Sequence, residues 1–517
     1  MGPRGESVGR EARLMDLERF RLRRFLESLP ADELQRVGSQ IELGDVAAAL
    51  EGNAKAVWFS RAGGAELAAN VVGSRSRLAL AFDTTAPQLL AEVLRRLAGA
   101  QEVVEVRDAP AQQVVETKSP DLTALPVHLQ HGFDGAPYIS ASVDFTRDPA
   151  SGLANVGIRR LMLRGRREAG VDLNAPSDLR AIYQAAVSRG ERLPIAFVVG
   201  SHPIDQVAAT MRLPGDELAL VARLRAAPMT TVKCVTNDLR VPADAEYVLE
   251  GYLDERGYVE PEGPYGEFLG YYGALKANPV FHLTAVTRRR DAVFQAATIS
   301  GRTLARTDTA QLNALRAEVT VWRALESAVR ETHAVYATPS SGGAFNVRVA
   351  LRQRVPGEAR NAIAAVFGCL VNVKQVFVVD SDVDVFADEE MDWALATRFQ
   401  ASRDLVVAEG FRAMPLDPSL RGNRTGSKAG FDLTLPFGAK LGIEARTPEP
   451  PRYEGRRFES LQAALADGPK FFVELMSARE SRDGREIVRE LEELRGAGRL
   501  TRDEEGRYVY RPAGTAA

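Results

Sequence analysis

The spacing of apolar positions changes character twice along the chain. Leu17, Phe20, Phe25 and Leu29 recur at helical intervals, as do the apolar residues of Ala86–Leu97, with strand-length runs such as Ala56–Ser60 between them. This alternation predicts an N-terminal α/β domain over residues 15–115. Period two then takes over in Tyr138–Phe145, Val156–Leu163 and Glu246–Leu253, which predicts a β-rich central domain, a small barrel, over 116–315. Val280–Val286 and Ala292–Ala297 flank a run of arginines and predict a β-hairpin. One helix interrupts the strands over Pro176–Ser188, with Ser177 or Asp178 as its cap. Helical spacing returns at Ala310–Val319, followed by an apolar strand at Val373–Asp380 and a helix containing Trp393. A Gly/Pro/Arg stretch, Leu416–Gly430, interrupts this region, and charged helices follow over 455–500. The reading is a C-terminal α/β domain with terminal helices, 316–517, and a polar, disordered tail at 1–14.

Composition narrows the possibilities. In 517 residues, 66 Lys and Arg oppose 69 Asp and Glu, a net charge of −3, which argues against nucleic acid as the main partner. No apolar run reaches the length of a membrane span, and the N-terminus lacks the apolar core of a signal peptide, so a cytoplasmic protein is expected. Cys234 and Cys369 lie far apart and outside any CxxC, which removes a disulfide framework and a thiolate metal site. None of His128, His131, His202, His282 or His333 has metal-ligand spacing, and they read as loop and packing residues. A G-x-S-x-G elbow and a P-loop are both absent.

The most informative segment is Val259–Gly273, where Glu262 and Glu267 flank a Gly-Pro-Tyr-Gly turn. Proline fixes φ and glycine admits left-handed conformations, so the chain can fold back and aim both carboxylates into one cleft. In such a cleft one carboxyl would stay protonated as a general acid; the alternative is a surface turn with two solvated glutamates. Arg160 shares a strand face with Val156, Ile158 and Met162. If buried it needs an anionic partner; otherwise it snorkels to solvent. Asn155, five residues earlier, cannot share that face unless it precedes the strand or a bulge intervenes.

Pro261–Tyr272 strongly resembles the hallmark loop of the UbiD-type decarboxylases. The likeness continues, in order, through Leu125–His128, Gly135–Ile139, Asn155–Arg160, Val232–Asp238, Val378–Phe386 and Ser427–Thr434. The resemblance implies an α+β multidomain fold in which the central barrel is a split barrel of flavin-reductase type and the C-terminal α/β domain mediates oligomerisation. It implies reversible, non-oxidative decarboxylation of an aromatic, heteroaromatic or α,β-unsaturated acid, or a thioester-linked one, through a covalent adduct with prenylated FMN. Loss of CO2 from an sp² carbon leaves an anion that side chains cannot stabilise, and the cofactor supplies the electron sink.

By the same resemblance, Glu267 is the proton donor, and Arg160, held by Glu262, orients the substrate carboxylate and the flavin. A divalent ion, Mn²⁺ or Mg²⁺, with K⁺ as an optional further ion, links protein to cofactor phosphate through Asn155, Glu217 and a third ligand. That third position, histidine in the family, carries Asp178 here; it is a ligand or simply a helix cap. Ala209, Thr210 and Met211 match the stretch that contacts the flavin, and Lys428 the lysine that neutralises its phosphate. Arg302 or Arg306 is a candidate for an anionic feature of the substrate, with solvated arginines as the alternative. A flavin prenyltransferase is implied as supplier of the cofactor, and a homodimer or higher homo-oligomer as the assembly. Two other classes stay open: a plain FMN-binding reductase or electron carrier, and an auxiliary subunit of a carboxylase complex.

Overall fold

A computed structural model describes residues 16–438, 442–443 and 447–512; the tail expected at 1–14 lies outside the described residues. The chain forms two compact units, Met1–Leu435 and Pro436–Ala517, so the region expected as one C-terminal domain divides at Leu435.

At the N-terminal side of the first unit, Leu34–Ile41, Ala56–Ala62 and Ala65–Ala69 form a sheet, which Val293–Ala296 joins in parallel beside Ala65–Ala69. The centre is a closed barrel of six strands: β1 (Tyr138–Arg147), β2 (Ala154–Leu163), β3 (Glu168–Val171), β4 (Leu193–Val199), β5 (Tyr247–Leu253) and β6 (Val280–Arg288). Their spatial order is β5-β4-β1-β2-β3-β6, and β6 pairs back onto β5. Period-two alternation sends Ile139, Leu161, Val171, Ile195, Phe197, Leu249 and Phe281 into one buried cluster. Val143, Phe145, Val156, Ala196 and Val248 join a second cluster with the helices outside. Four helices matter for the site: α1 (Asp178–Ser188), α2 (Pro203–Thr210), α3 (Glu217–Arg225) and α4 (Asp308–Leu325). After α4, a five-stranded sheet runs in the order Thr332–Ala337, Asn346–Leu351, Gln375–Asp380, Thr425–Asp432, Leu405–Arg412.

One expectation is corrected. Val280–Arg288 and Val293–Ala296 are strands, but they do not form a hairpin with each other. All four residues of Val293–Ala296 are buried, and a strand covered on both faces suits parallel pairing within a layered domain rather than the rim of a barrel. The arginine link carries the chain between the two sheets: Arg289 is buried with Nη1 2.7 Å from Glu18, and Val293 N donates to Glu246. The Gly/Pro/Arg stretch likewise does not only interrupt, since its second half enters the strand Thr425–Asp432.

The second unit has helices Leu461–Ala466, Phe472–Ala478 and Gly484–Gly496, then a hairpin of Leu500–Arg502 with Tyr508–Tyr510. A bridge from Lys470 to Tyr508 ties the first inter-helix link to that hairpin, giving the element order of a helix-turn-helix with a wing. Its own core contains Leu461, Leu465, Leu475, Ile487, Leu491 and Tyr508. Among the described residues no helix is long and apolar enough to cross a membrane.

Candidate active site

Arg160 and Asn155 both lie within β2, which begins at Ala154, so strand parity turns them to opposite faces. The bulge lies in the neighbouring strand: Ile139 faces Leu161 and Ser142 faces Arg159, so Ser140 and Ala141 together oppose Arg160. Arg160 leaves the barrel on the side of Tyr138, Met162 and Tyr265, with its guanidinium carbon 4.5 Å from the Tyr265 ring centroid and 5.9 Å from that of Tyr138.

The acidic loop is an excursion between β5 and β6 built on two short ladders. Glu260–Glu262 pairs with Lys276–Asn278, and Tyr265–Gly266 with Tyr272–Gly273. Between them Gly263 adopts φ 99° before a cis Gly263–Pro264 bond. A side chain at Gly273 would collide with Glu267, its Cβ only 2.7 Å from Oε1. Asp134 fixes the loop from another segment, accepting from Gly266 N at 2.8 Å and holding His131 Nδ1 at 3.0 Å.

This geometry delivers three carboxylates to one guanidinium. Arg160 Nε meets Glu262 Oε1 at 3.2 Å, Nη1 meets Glu267 Oε1 at 3.0 Å and Nη2 meets Asp172 Oδ2 at 2.9 Å. Buried Asn278 donates to Glu262 Oε2 at 3.1 Å. Lys276, opposite Glu262 in the ladder, lies 3.9 Å from Asp172. Burial works against the Arg160 charge, but Glu267, Glu262 and Asp172 together push its pKa above the usual arginine value. For Glu267 burial is the main influence and raises its pKa, with Asp172 and Glu262 adding to the rise. Arg160 and Lys276 oppose that rise. A buried carboxyl with a raised pKa beside a fixed guanidinium can bind a carboxylate and deliver a proton.

A second cluster lies at the start of β2. Asn155 Nδ2 donates to Glu217 Oε2 at 2.7 Å, and Val156 N donates to the same oxygen. Burial pushes the Glu217 carboxyl up to about 7; Asp144 and Asp178 add to the rise, while the bonds from Val156 and Asn155 oppose it. An under-neutralised buried carboxylate beside an amide oxygen suits a hard divalent cation. Asp178 is exposed in the first turn of α1, and Ser177 is the cap, accepting from Arg180 N at 3.3 Å. The described residues contain no group of three His, Cys, Asp or Glu side chains placed to hold a metal.

Close to these groups the molecule collects cations. The charged groups acting on Arg316 of α4 are Arg212 and Arg412, and together with burial they pull its pKa down to about 10. Arg316 Nε is buried without a hydrogen-bond partner. Arg212 is lowered by burial and then by Arg159 and Arg412. Lys428 is buried with Nζ on Phe367 O at 2.8 Å, and its pKa is lowered by burial and by Arg412. Cations that depress one another and leave a buried donor unmatched fit a phosphate dianion. Ala209 and Met211 are buried at the end of α2, the Thr210 hydroxyl returns to Val207 O at 2.7 Å, and the next residue is Arg212. Arg302 and Arg306 are exposed; Arg306 donates to Gly52 O at 2.9 Å and lines a cavity with His128, Gln130, His131, Ser300 and Thr303.

Comparison with known proteins gives the family of the chain. Residues 102–303 match the 3-octaprenyl-4-hydroxybenzoate carboxy-lyase Rift-related domain, and residues 34–97 and 310–433 match the N-terminal and C-terminal domains of the same enzyme. The three matched domains and the decarboxylases among the relatives define a carboxy-lyase. The chain belongs to the UbiD family. It is 30% identical over 381 residues to the anhydromevalonate phosphate decarboxylase of Methanosarcina mazei, across 73% of this chain and 87% of that protein. The UbiD-class enzyme HmfF from Pelotomaculum thermopropionicum, in complex with FMN, has 32% identity and a TM-score of 0.78 over 83% of this chain and 97% of its own. An evolved dimeric form of that enzyme, in complex with prFMN, has 30% identity and a TM-score of 0.74 over the same shares. UbiD-class structures therefore bind FMN or its prenylated form.

The structure unites Arg160, Glu262 and Glu267, and pairs Asn155 with Glu217. Sequence reasoning missed Asp172, Lys276 and Asn278 around the first group and Arg212, Arg316 and Arg412 beside the second. Asp172 follows the strand Glu168–Val171 with no motif around it, and Arg316 reads as an ordinary helix residue.

Proposed function

We propose that this carboxy-lyase removes CO2 reversibly from an α,β-unsaturated, aromatic or heteroaromatic acid in the cytoplasm, using prenylated FMN made by a separate flavin prenyltransferase, and works as a homo-oligomer. The carrying observation is the convergence of Glu262, Glu267 and Arg160 within 3.2 Å across the barrel wall. The prenylated flavin, when bound, would accept the electron pair that CO2 leaves behind.

The chain's own residues do the rest. Arg160, fixed by Glu262, presents its guanidinium to the substrate carboxylate. Tyr138 and Tyr265 wall the site with apolar surface and keep water from the reacting carbon. Once CO2 has left and the electron pair returns to the carbon, Glu267 gives its proton to that carbon; the resulting carboxylate is reprotonated from solvent, and carboxylation runs the same path backwards. Arg212, Arg316, Arg412 and Lys428 would hold the cofactor phosphate. Asn155, Glu217 and Asp178 would hold a divalent ion beside it, Mg²⁺ or Mn²⁺, through oxygen donors. The decarboxylase of Methanosarcina mazei supports the unsaturated members of this substrate class.

The test is co-expression with a flavin prenyltransferase, mass spectrometry of the bound flavin, metal analysis and a screen of unsaturated and aromatic acids for CO2 release. A prenylated flavin mass with CO2 release supports the reading. Unmodified FMN with hydride-transfer activity and no CO2 release overturns it.

A further inference from the structure

The site holds more acid than the Arg–Glu–Glu set. Three carboxylates, Glu262, Glu267 and Asp172, share two cations, Arg160 and Lys276, so full ionisation leaves one negative charge in excess in a buried site. The inexpensive remedy is a single bound proton. Hydrogen-bond geometry decides where it goes. Glu262 has both oxygens taken by N–H donors, Arg160 Nε on one and Asn278 Nδ2 on the other. Asp172 is served on both sides as well. Arg160 Nη2 reaches Oδ2, while Asn174 N at 3.2 Å, Asn174 Nδ2 at 3.3 Å and Asn278 Nδ2 at 3.5 Å reach Oδ1. With donors on both oxygens, neither of these two carboxyls has an oxygen left open for a proton. Glu267 has Arg160 Nη1 on Oε1, and among the described residues no side chain or backbone N–H donates to Oε2.

We propose that Asp172 and Lys276 are positioning residues that set the occupancy of the proton on Glu267 Oε2. Asp172 occupies the Nη2 edge of Arg160, drawing guanidinium charge away from Glu267, and adds a second negative neighbour; Lys276 offsets part of that field. The charged and titratable groups acting on Glu267 are Arg160 from β2, Asp172 from the segment after β3, Lys276 and Glu262 from the loop ladder, and Tyr265 within the loop. Tyr265 stays neutral, because burial raises its phenol well above its ordinary range. Asp172 moves the opposite way to Glu267: burial alone would raise it, but Arg160 and Lys276 bring it below the usual aspartate value.

This inference rests on the proton-donor reading of Glu267, yet its test does not require turnover. The apoprotein, labelled with ¹³C at glutamate side chains, is titrated by NMR, and Glu267 is assigned by loss of its signal in Glu267→Gln. Asp172→Asn should lower the Glu267 midpoint by about one pH unit, and Lys276→Met should raise it, opposite signs from two neighbours of one carboxyl. In the loaded enzyme the high-pH limb of CO2 release should follow: to lower pH in Asp172→Asn and to higher pH in Lys276→Met. Unmoved midpoints, or shifts of the same sign in both variants, overturn the proposal. A merely structural role for Asp172 would broaden or abolish the Glu267 signal without an ordered shift, and that result overturns it too. If both midpoints move as expected but no acid releases CO2, the proton assignment stands and the proposed reaction falls.

Discussion

The two units of the chain treat charge in opposite ways. In the first, Arg160 and three carboxylates are drawn out of water and held by one another and by Asn278, Asn174 and Lys276. In the second, charge stays on the surface in short local pairs, such as Arg485 with Asp483, Arg452 with Glu449 and Arg456 with Asp467, over a core of Leu, Ile, Met and Tyr. Exposed pairs contribute little to stability, whereas a buried cluster costs desolvation that packing alone would never demand. The expensive arrangement lies in the unit matched by the family, and those matches end at residue 433. The second unit has the element order of a winged helix-turn-helix, but its 15 Lys and Arg balance 15 Asp and Glu. The unit therefore carries no net basic charge.

The contrast can be tested by disturbing each side. The largest effect is expected from Glu267→Gln, which keeps the shape of the site but removes its acid. CO2 release should fall on the order of 10²–10⁴-fold while flavin absorbance of the purified enzyme is retained. Normal turnover in that variant would end the proton-donor assignment.

Next comes Arg160→Met, which leaves buried carboxylates without their counter-charge and should cost about 3–5 kcal/mol in the first unit. Arg160 lowers the pKa of Asp172 and of Glu267, so with the guanidinium gone both rise, and the variant is penalised above the ordinary carboxylate range and relieved as acid protonates them. Thermal melts should accordingly show a larger loss at pH 8 than at pH 5; an equal loss at both would mean that the guanidinium acts through packing.

In the second unit the sensitive positions are apolar. Ile487→Ala should destabilise that unit by about 2–5 kcal/mol and split the melting curve, while CO2 release stays at the wild-type rate. A parallel loss of activity would show that the units are coupled. The smallest effect is expected from Arg485→Ala, whose surface pair with Asp483 is screened; calorimetry should detect no change, and a clear drop in melting temperature would reveal an unrecognised role for that helix.

Much of this was legible along the chain because it rests on local rules. Period two gave the barrel strands, Ser177 and Asp178 bracketed the start of α1, and the Pro/Gly loop offered two carboxylates that could share a cleft or lie on a surface turn. The misread hairpin shows where local rules stop. Val280–Arg288 and Val293–Ala296 both have strand character, yet each finds its partner far away in sequence. Asp172 and Arg316 escaped for the same reason, since nothing within a few residues of either marks it as part of a site.

What the sequence by itself determined is the kind of group available: a loop that must bend at Gly263–Pro264, an arginine on a strand face, and an amide ahead of it. The tertiary structure alone decided the company those groups keep. Arg160 and Glu262 are separated by 102 positions, and Lys276 comes near Asp172 because it stands opposite Glu262 in the loop ladder. Electrostatic interaction depends on distance through space and on exclusion of water, and neither is a property of a linear chain until ladder register and burial have been set.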